Sequence, residues 1–317
     1  MKKFALSLAA TFLMSGSVFA AECIAPANPG GGWDFTCRQV ARILQEIGLE
    51  KDLVQVTNLA GAGGGVAYTR VVAERNTDSN LIVAASSATT TRLAQNAFAG
   101  MTADQVRWLG TIGGDPGVIV VAKDSPFQTI NDLVEAVKAD PSKVVFAGGS
   151  AVGGFDHLKV LMMLNRAGFT DARKVKYIGL DGGADAITQT VGGFAQAMTG
   201  DISEIQGFLR SGDVRALAVL SEDRVAGFDD IPTAREQGLD MVAMNWRGFY
   251  VPKGISDAEF ARWTDALSKV AESEQWQKVM ADNGLAPYTL IGDDFEAWVA
   301  ANIAEIQGIS REIGIIQ

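Results

Sequence analysis

The sequence is poor in the side chains on which most enzymes depend. Its 317 residues include one histidine, His157, and two cysteines, Cys23 and Cys37. That set cannot supply the ligands of a usual zinc site, so no metal is expected. No Gly-Lys pair occurs, which excludes a P-loop. The glycine loops do not spell G-x-G-x-x-G, since Gly61 and Gly63 are followed by Val66, and no nucleotide or other cofactor is expected. A Ser–His–Asp triad would have to use His157, yet Gly148-Gly149-Ser150-Ala151-Val152 misses the G-x-S-x-G elbow at its last position. His157 therefore reads as a capping or site-lining residue rather than a catalytic base. Basic runs are also missing. With 27 Lys and Arg against 37 Asp and Glu, the formal charge is −10. This argues against a nucleic-acid partner but not against small anions, which local dipoles and a few arginines can hold. Beyond the N-terminal stretch, no segment approaches the ~18 uninterrupted apolar residues of a membrane span.

What is present begins with a targeting segment. Lys2 and Lys3 form a charged start, Phe4 to Met14 an apolar run, and Val18-Phe19-Ala20 a small-residue cleavage site. Residues 1–20 read as a secretory signal peptide, and the mature chain as exported to the periplasm. Setting aside Lys2 and Lys3 takes the balance to −12, 25 basic against 37 acidic residues. The remaining length suits two domains. Export places both cysteines in an oxidising compartment. A disulfide between them would close a short loop, worth ~3 kcal/mol in the chain-entropy treatment. Two buried free thiols are the alternative.

The organising stretch is residues 23–38. A short apolar run, Cys23 to Ala25, turns through Pro26 and Pro29 into Gly30, Gly31 and Gly32. Val40, Ile43, Leu44 and Ile47 then follow at i, i+3, i+4, i+7, one face of a helix. Asp34 stands just before them as a cap, and Gly48 follows as a stop. A strand, a glycine loop and a helix start aim unpaired N–H groups and the positive end of a helix dipole at one point. Such a point suits a carboxylate or phosphate.

The pattern recurs. The strand Leu53–Thr57 leads into Asn58 to Gly65, with a helix from Val66 to Val72. The run Leu81 to Ala85 leads into a loop of hydroxyls, Ser86 to Thr91. The strand Lys143 to Ala147 opens into Gly148 to His157, followed by a helix carrying Leu158, Leu161, Met162 and Leu164. Gly117 to Ala122, Val175 to Ile178, Ala195 to Thr199 and Val214 to Leu220 read as further strands, and Ile231 to Gly238 as a short helix. In α/β sheets such loops gather at the carboxyl edge of the strands, where ligands bind. Asp181 and Asp185 sit in a glycine-rich loop and read as turn formers rather than an acid–base pair. The tail is helical, with Phe260, Trp263, Leu267 and Val270 on one face and Trp276, Phe295 and Trp298 as core.

Several of these segments resemble the Bug family, the extracytoplasmic solute receptors of tripartite tricarboxylate transporters. They are Pro29-Gly-Gly-Gly-Trp-Asp34, Asn58 to Gly65, Asp124-Ser-Pro126 with Asp140-Pro-Ser142, Gly148 to His157, and Asp230 to Gly238. The resemblance spans essentially the whole mature chain. Cys23 with Cys37 and Arg247-Gly-Phe-Tyr250 look most like the tricarboxylate (citrate) receptor branch. The chain departs from that branch at Gly154-Phe155-Asp156-His157 and at Gly182-Gly183-Ala184-Asp185. The resemblance implies an α/β, two-domain periplasmic binding protein clamshell with two crossovers. Lobe I would be 22–116 with 245–317, and lobe II 117–244. The cleft would be lined by Gly30, Gly31, Gly32, Trp33 and Asp34, by Ala62, Gly63 and Gly64, and by Ser86, Ser87 and Thr89. Lobe II would add Gly149, Ser150, Gly153, Asp156, His157 and Asp201. The implied partners are a small organic acid and the large and small permease subunits.

The expected function is capture of a di- or tricarboxylate, citrate first, by closure of two lobes of a monomer. Glycine loops on both lobes suit a ligand with an anion at each end. A third carboxylate needs more positive charge, for which Arg247, Arg92 and Arg38 are candidates; a salt bridge fixing the hinge is the other role for Arg247. The competing classes are an exported enzyme acting on a carboxylate and a ligand-sensing subunit of a signalling system.

Overall fold

The computed structural model describes residues 21–316; the signal-peptide reading of residues 1–20 lies outside them. The described chain runs β1 (Glu22–Ala25), α1 (Gly32–Glu46), β2 (Gln55–Asn58), α2 (Gly65–Glu74), β3 (Leu81–Ser86), α3 (Ser87–Ala94) and β4 (Val106–Ala122). It continues through α4 (Ile130–Ala139), β5 (Val145–Gly148), α5 (Phe155–Arg166), β6 (Lys176–Gly179), α6 (Gly183–Val191), β7 (Ala197–Asp201), α7 (Ile202–Ser211) and β8 (Val214–Leu220). It ends with β9 (Met244–Pro252), α8 (Asp257–Glu272), α9 (Glu274–Asn283), β10 (Ala286–Ile291) and α10 (Asp293–Glu312).

Alternation along two strands shows how the layers form. On β3, Ile82 and Ala84 face one apolar cluster while Leu81, Val83 and Ala85 face another. On β4, Ile119 and Val121 face one cluster and Val118 and Val120 the opposite one. Side chains alternate faces along a strand, so a strand apolar at every position must be covered on both sides. Helices supply that cover. α1, α8 and α9 pack on one face of the first half of the sheet, and α2 and α10 on the other. α4 and α5 cover one face of the second half, and α6 and α7 the other.

The sheet order is β2-β1-β3-β9-β4-β7-β5-β6, with β10 and β8 also on β4. Strand β4 belongs to both halves. Its residues 106–116 pair with β9, and residues 110–114 also with β10. Its residues 117–122 pair with β8, and 117–120 also with β7. The chain thus crosses between the halves along β4 and returns where β8 is followed by β9.

The Cys23–Cys37 disulfide is formed, with 5.7 Å between the Cα atoms, and it ties β1 to α1. Around three helix starts the sequence reading differs from the structure. Asp34 is not ahead of α1: the helix starts at Gly32 behind Gly31, and Asp34, in the first turn, reaches back to the Gly30 N–H. Ser86 to Thr91 is not a loop, because Ser86 caps α3 directly through the Ala88 N–H. Residues 231–238 form only one 3-10 turn, Arg235–Gln237. Thr233 and Glu236 cap each other there, and Gly238, at φ +85°, ends the turn.

Candidate functional site

Five helices begin around one small cavity. α1 and α3 come from the first half of the sheet, α5, α6 and α7 from the second. Each follows a strand end or a glycine loop, so its first N–H groups have no intrahelical partner. The cavity measures about 30 Å³. Its walls include Gly32, Trp33, Ser86, Ser150, Asp201 and Arg247. A volume of that order holds a water or two and no four-carbon acid. The two halves are closed on each other. Across the junction, the Asn28 N–H donates to the Asp181 carbonyl at 2.8 Å, and Asn28 Nδ2 to Asp185 at 2.8 Å. Arg92 donates to the Val152 carbonyl at 2.9 Å and Gln95 to the Gly153 carbonyl at 2.7 Å.

A buried charge network floors the cavity. Arg247 donates to Asp115 at 2.6 Å and to Asp201 at 2.8 Å. Lys159, fully buried, contacts Asp156 and Asp201 at 2.8 Å each and donates to the Gly200 carbonyl at 2.7 Å. Asn245 Nδ2 bonds Asp201, and its Oδ1 accepts from the Ser87 N–H. Burial raises the Asp115 and Asp156 carboxyls above the usual range. Burial would raise Asp201 too, but Lys159 and Arg247 outweigh it and hold it low. Glu204 keeps some exposure, yet burial, then the charges of Asp201, Asp156 and Asp115, push it up to about 8 against the opposing pull of Arg247. Both cations are thus already matched by the site's own acids.

Gly32, Trp33, Ser86, Gly149, Ser150, Asp156, Asp201 and Arg247 meet at the cavity. A Cβ on Gly32 would lie 2.1 Å from the Arg247 guanidinium, which explains a glycine there. Trp33 Nε1 donates to Ser86 Oγ at 3.1 Å. The remaining candidates lie elsewhere. Gly30 is exposed, and Gly31 faces Gly182. Asp34 is spent on Gly30, Arg38 and Asn58, which also removes Arg38. Ala62 lines a separate groove, Gly63 touches Ala151 and Arg92, and Gly64 packs on Trp33. Ser87 lines an apolar pocket beside the cleft, and Thr89 completes the cap of α3. Gly153 donates to His157 Nδ1 at 3.0 Å, while the His157 ring stacks on Tyr177 at 4.5 Å. Burial lowers His157 to about 4, so it is neutral at pH 7.

Glu204, Lys159, Asp115 and Asn245 are site residues that sequence reasoning left out. Two had a signal. Asp201-x-x-Glu204 is a capping-box spacing, and Asp156 with Lys159 is an i, i+3 ion pair. Asp115 and Asn245 had none.

Residues 37–315 match the family described as tripartite tricarboxylate transporter family receptor (TctC). Protein BugT of Bordetella pertussis is 28% identical over 297 residues, spanning 92% of this chain and 89% of that protein. The structure of R. palustris Rpa4515 with adipate superposes with a TM-score of 0.84 at 19% identity, covering 93% of this chain and 97% of that one. For the periplasmic binding protein BugD the values are 0.83, 22%, 94% and 98%. For MatC from Rhodopseudomonas palustris with bound malate they are 0.80, 19%, 93% and 99%. The fold is therefore the mixed α/β fold of periplasmic binding proteins.

Proposed function

The chain belongs to the tripartite tricarboxylate transporter receptor family, and from that premise we propose that it is a periplasmic receptor for a small dicarboxylate or tricarboxylate. Two lobes, 22–116 with 245–317 and 117–244, close over the solute, and a transporter of one large and one small permease subunit receives it from the monomer. The observation that carries this reading is the convergence of five helix N-termini, from both halves of the sheet, on one cavity. Helix starts on both sides favour a ligand with an anion at each end. Such a ligand touches both lobes only when they are closed, and so it shifts the population to the closed form. We rank C4 dicarboxylates ahead of citrate. Arg247 and Lys159 are matched by Asp115, Asp156 and Asp201, Arg38 is matched by Asp34, and Arg92 donates to the Val152 carbonyl and is not part of the cavity wall, which disfavours a third carboxylate. The adipate and malate named with two of the similar solved structures are both dicarboxylates, of six and four carbons. The lone histidine does not serve the enzyme alternative, since His157 is stacked on Tyr177 and is not part of the cavity wall.

A thermal-shift screen over succinate, malate, adipate, citrate and acetate tests the reading. A ligand at ~100 times its dissociation constant adds ~2.7 kcal/mol of stability. At least one diacid should raise the midpoint by several degrees. A screen in which none does removes the organic-acid reading.

A further inference from the structure

Glu204 occupies an unusual place for an acidic side chain in a receptor of acids. It begins on α7, in the second half of the sheet, but one carboxyl oxygen accepts from the Gly32 N–H at 2.8 Å, across the cleft. Gly32 is the first residue of the 15-residue helix α1, so this oxygen sits on the free N–H and positive dipole end of that helix. The other oxygen accepts from the Asp201 N–H at 3.2 Å, capping Glu204's own helix. The group also rests on the start of a third helix: a Cβ at Gly183, the first residue of α6, would lie 2.4 Å from it. A carboxyl group at the focus of three helix starts is where the carboxyl of a captured acid would be best held. The cavity of about 30 Å³ beside it cannot take a diacid in addition.

We propose that Glu204 is an internal stand-in for the solute: with no ligand its carboxyl group takes the seat at the start of α1 and latches the lobes together, and a captured carboxylate replaces it there. This rests on the reading that the cleft binds an organic acid. The neighbours support an exchangeable group rather than a fixed ion pair. Asp201, Asp156 and Asp115 face Glu204 and repel its charge, while Arg247 and Lys159 are committed to those three acids. Tyr177, on β6, is the other titratable group nearby. Glu204 therefore takes up a proton more readily than an ordinary carboxyl, and a solute carboxylate can outbid it at the Gly32 N–H. The latch also sets specificity, since a solute must carry a carboxylate strong enough at this seat to displace it. A neutral amide analogue of the same shape lacks that advantage.

The test compares wild type with Glu204→Ala and Glu204→Gln by small-angle scattering without ligand and by titration with succinate, malate and citrate. Gln keeps an acceptor for the Gly32 N–H and matches the neutral acid in shape; Ala does not. The unliganded Ala variant should have a larger radius of gyration than wild type, with the Gln variant unchanged. The best-binding acid should bind the Ala variant at least tenfold more tightly. An unliganded Ala variant as compact as wild type overturns the latch whether or not any acid binds. Loss of binding in the Ala variant, for an acid that wild type binds, also overturns it and makes Glu204 a ligand contact. If none of the acids binds any of the three proteins, the organic-acid reading falls and with it the stand-in role, while scattering still decides whether Glu204 joins the lobes.

Discussion

Arg247 shows how one side chain joins the two halves of the protein. It stands on β9, packs against Gly32 of α1, and pairs with Asp115 of β4 and Asp201 at the end of β7. Removing one partner of such a buried set typically costs ~3–5 kcal/mol, because a charge is left without a match. His157 is the residue where pH acts most clearly. Its Nδ1 accepts from the Gly153 N–H, so protonation would end that bond and bury a charge. Its folded pKa, about 4, lies below the usual 6.5. A neutral histidine is thus favoured by folding. Its contribution is present above pH ~6.5 and is lost as pH falls from there through about 4, up to roughly 3 kcal/mol. The thermal midpoint of wild type should therefore fall faster over this window than that of His157→Asn, whose Oδ1 can replace Nδ1 as acceptor. Parallel profiles for the two proteins would contradict the assignment. The burial of His157 was not legible in the sequence, where a lone histidine after a glycine loop looks the same in a pocket or against Tyr177. Lys159 was hidden for a like reason, because a lysine inside a helix pattern ordinarily points to solvent.

At the scale of elements, glycine was the most informative residue, and it meant two different things. In the loops before α1 and α5 it was read as a place of close approach, and Gly32 and Gly149 do line the cavity, whereas the loop before α6 was read only as a turn although Gly182 lines the cavity too. In β4 it concealed structure. Gly110, Gly113 and Gly114 interrupt the apolar pattern, so only 117–122 reads as a strand, yet 106–122 is continuous. There glycine is needed for packing: a Cβ on Gly110 would lie 2.9 Å from the Leu290 carbonyl of β10, and one on Gly248 would lie 2.1 Å from the Gly110 carbonyl. Strand β10 escaped notice because its alternation is partly exposed on both faces. Two helix starts carry a capping-box spacing, Ser256 with Glu259 at α8 and Thr129 with Asp132 at α4, and both boxes form. The loop ahead of α1 yields a further prediction. A Cβ on Gly31 would stand 3.2 Å from Gly182 Cα in the opposite half, and its φ of −81° tolerates a side chain. Gly31→Val should therefore fold normally but resist closure. Affinity for the acid found in the screen should fall more than tenfold, ~1.4 kcal/mol, with an unchanged circular dichroism spectrum. Wild-type affinity in this variant would remove the loop from the closing surface.

At the scale of the whole molecule, two covered half-sheets share one long strand, and only a cavity of about 30 Å³ is left between them. The closed form is held by contacts across the junction, among them the Gly32 N–H with Glu204 and the Asn28 N–H with the Asp181 carbonyl. The acidic balance of the chain is no obstacle to binding an anion, because oriented N–H groups at helix starts can hold one whatever the net charge. In the proposed function a solute with an anionic group at each end bridges the two lobes. Calorimetric titration with succinate and acetate at one pH tests it most directly, since acetate carries the same carboxylate but can engage one lobe only. Bridging requires one succinate per chain and at least hundredfold weaker acetate, ~2.7 kcal/mol; acetate binding as tightly as succinate would rule bridging out.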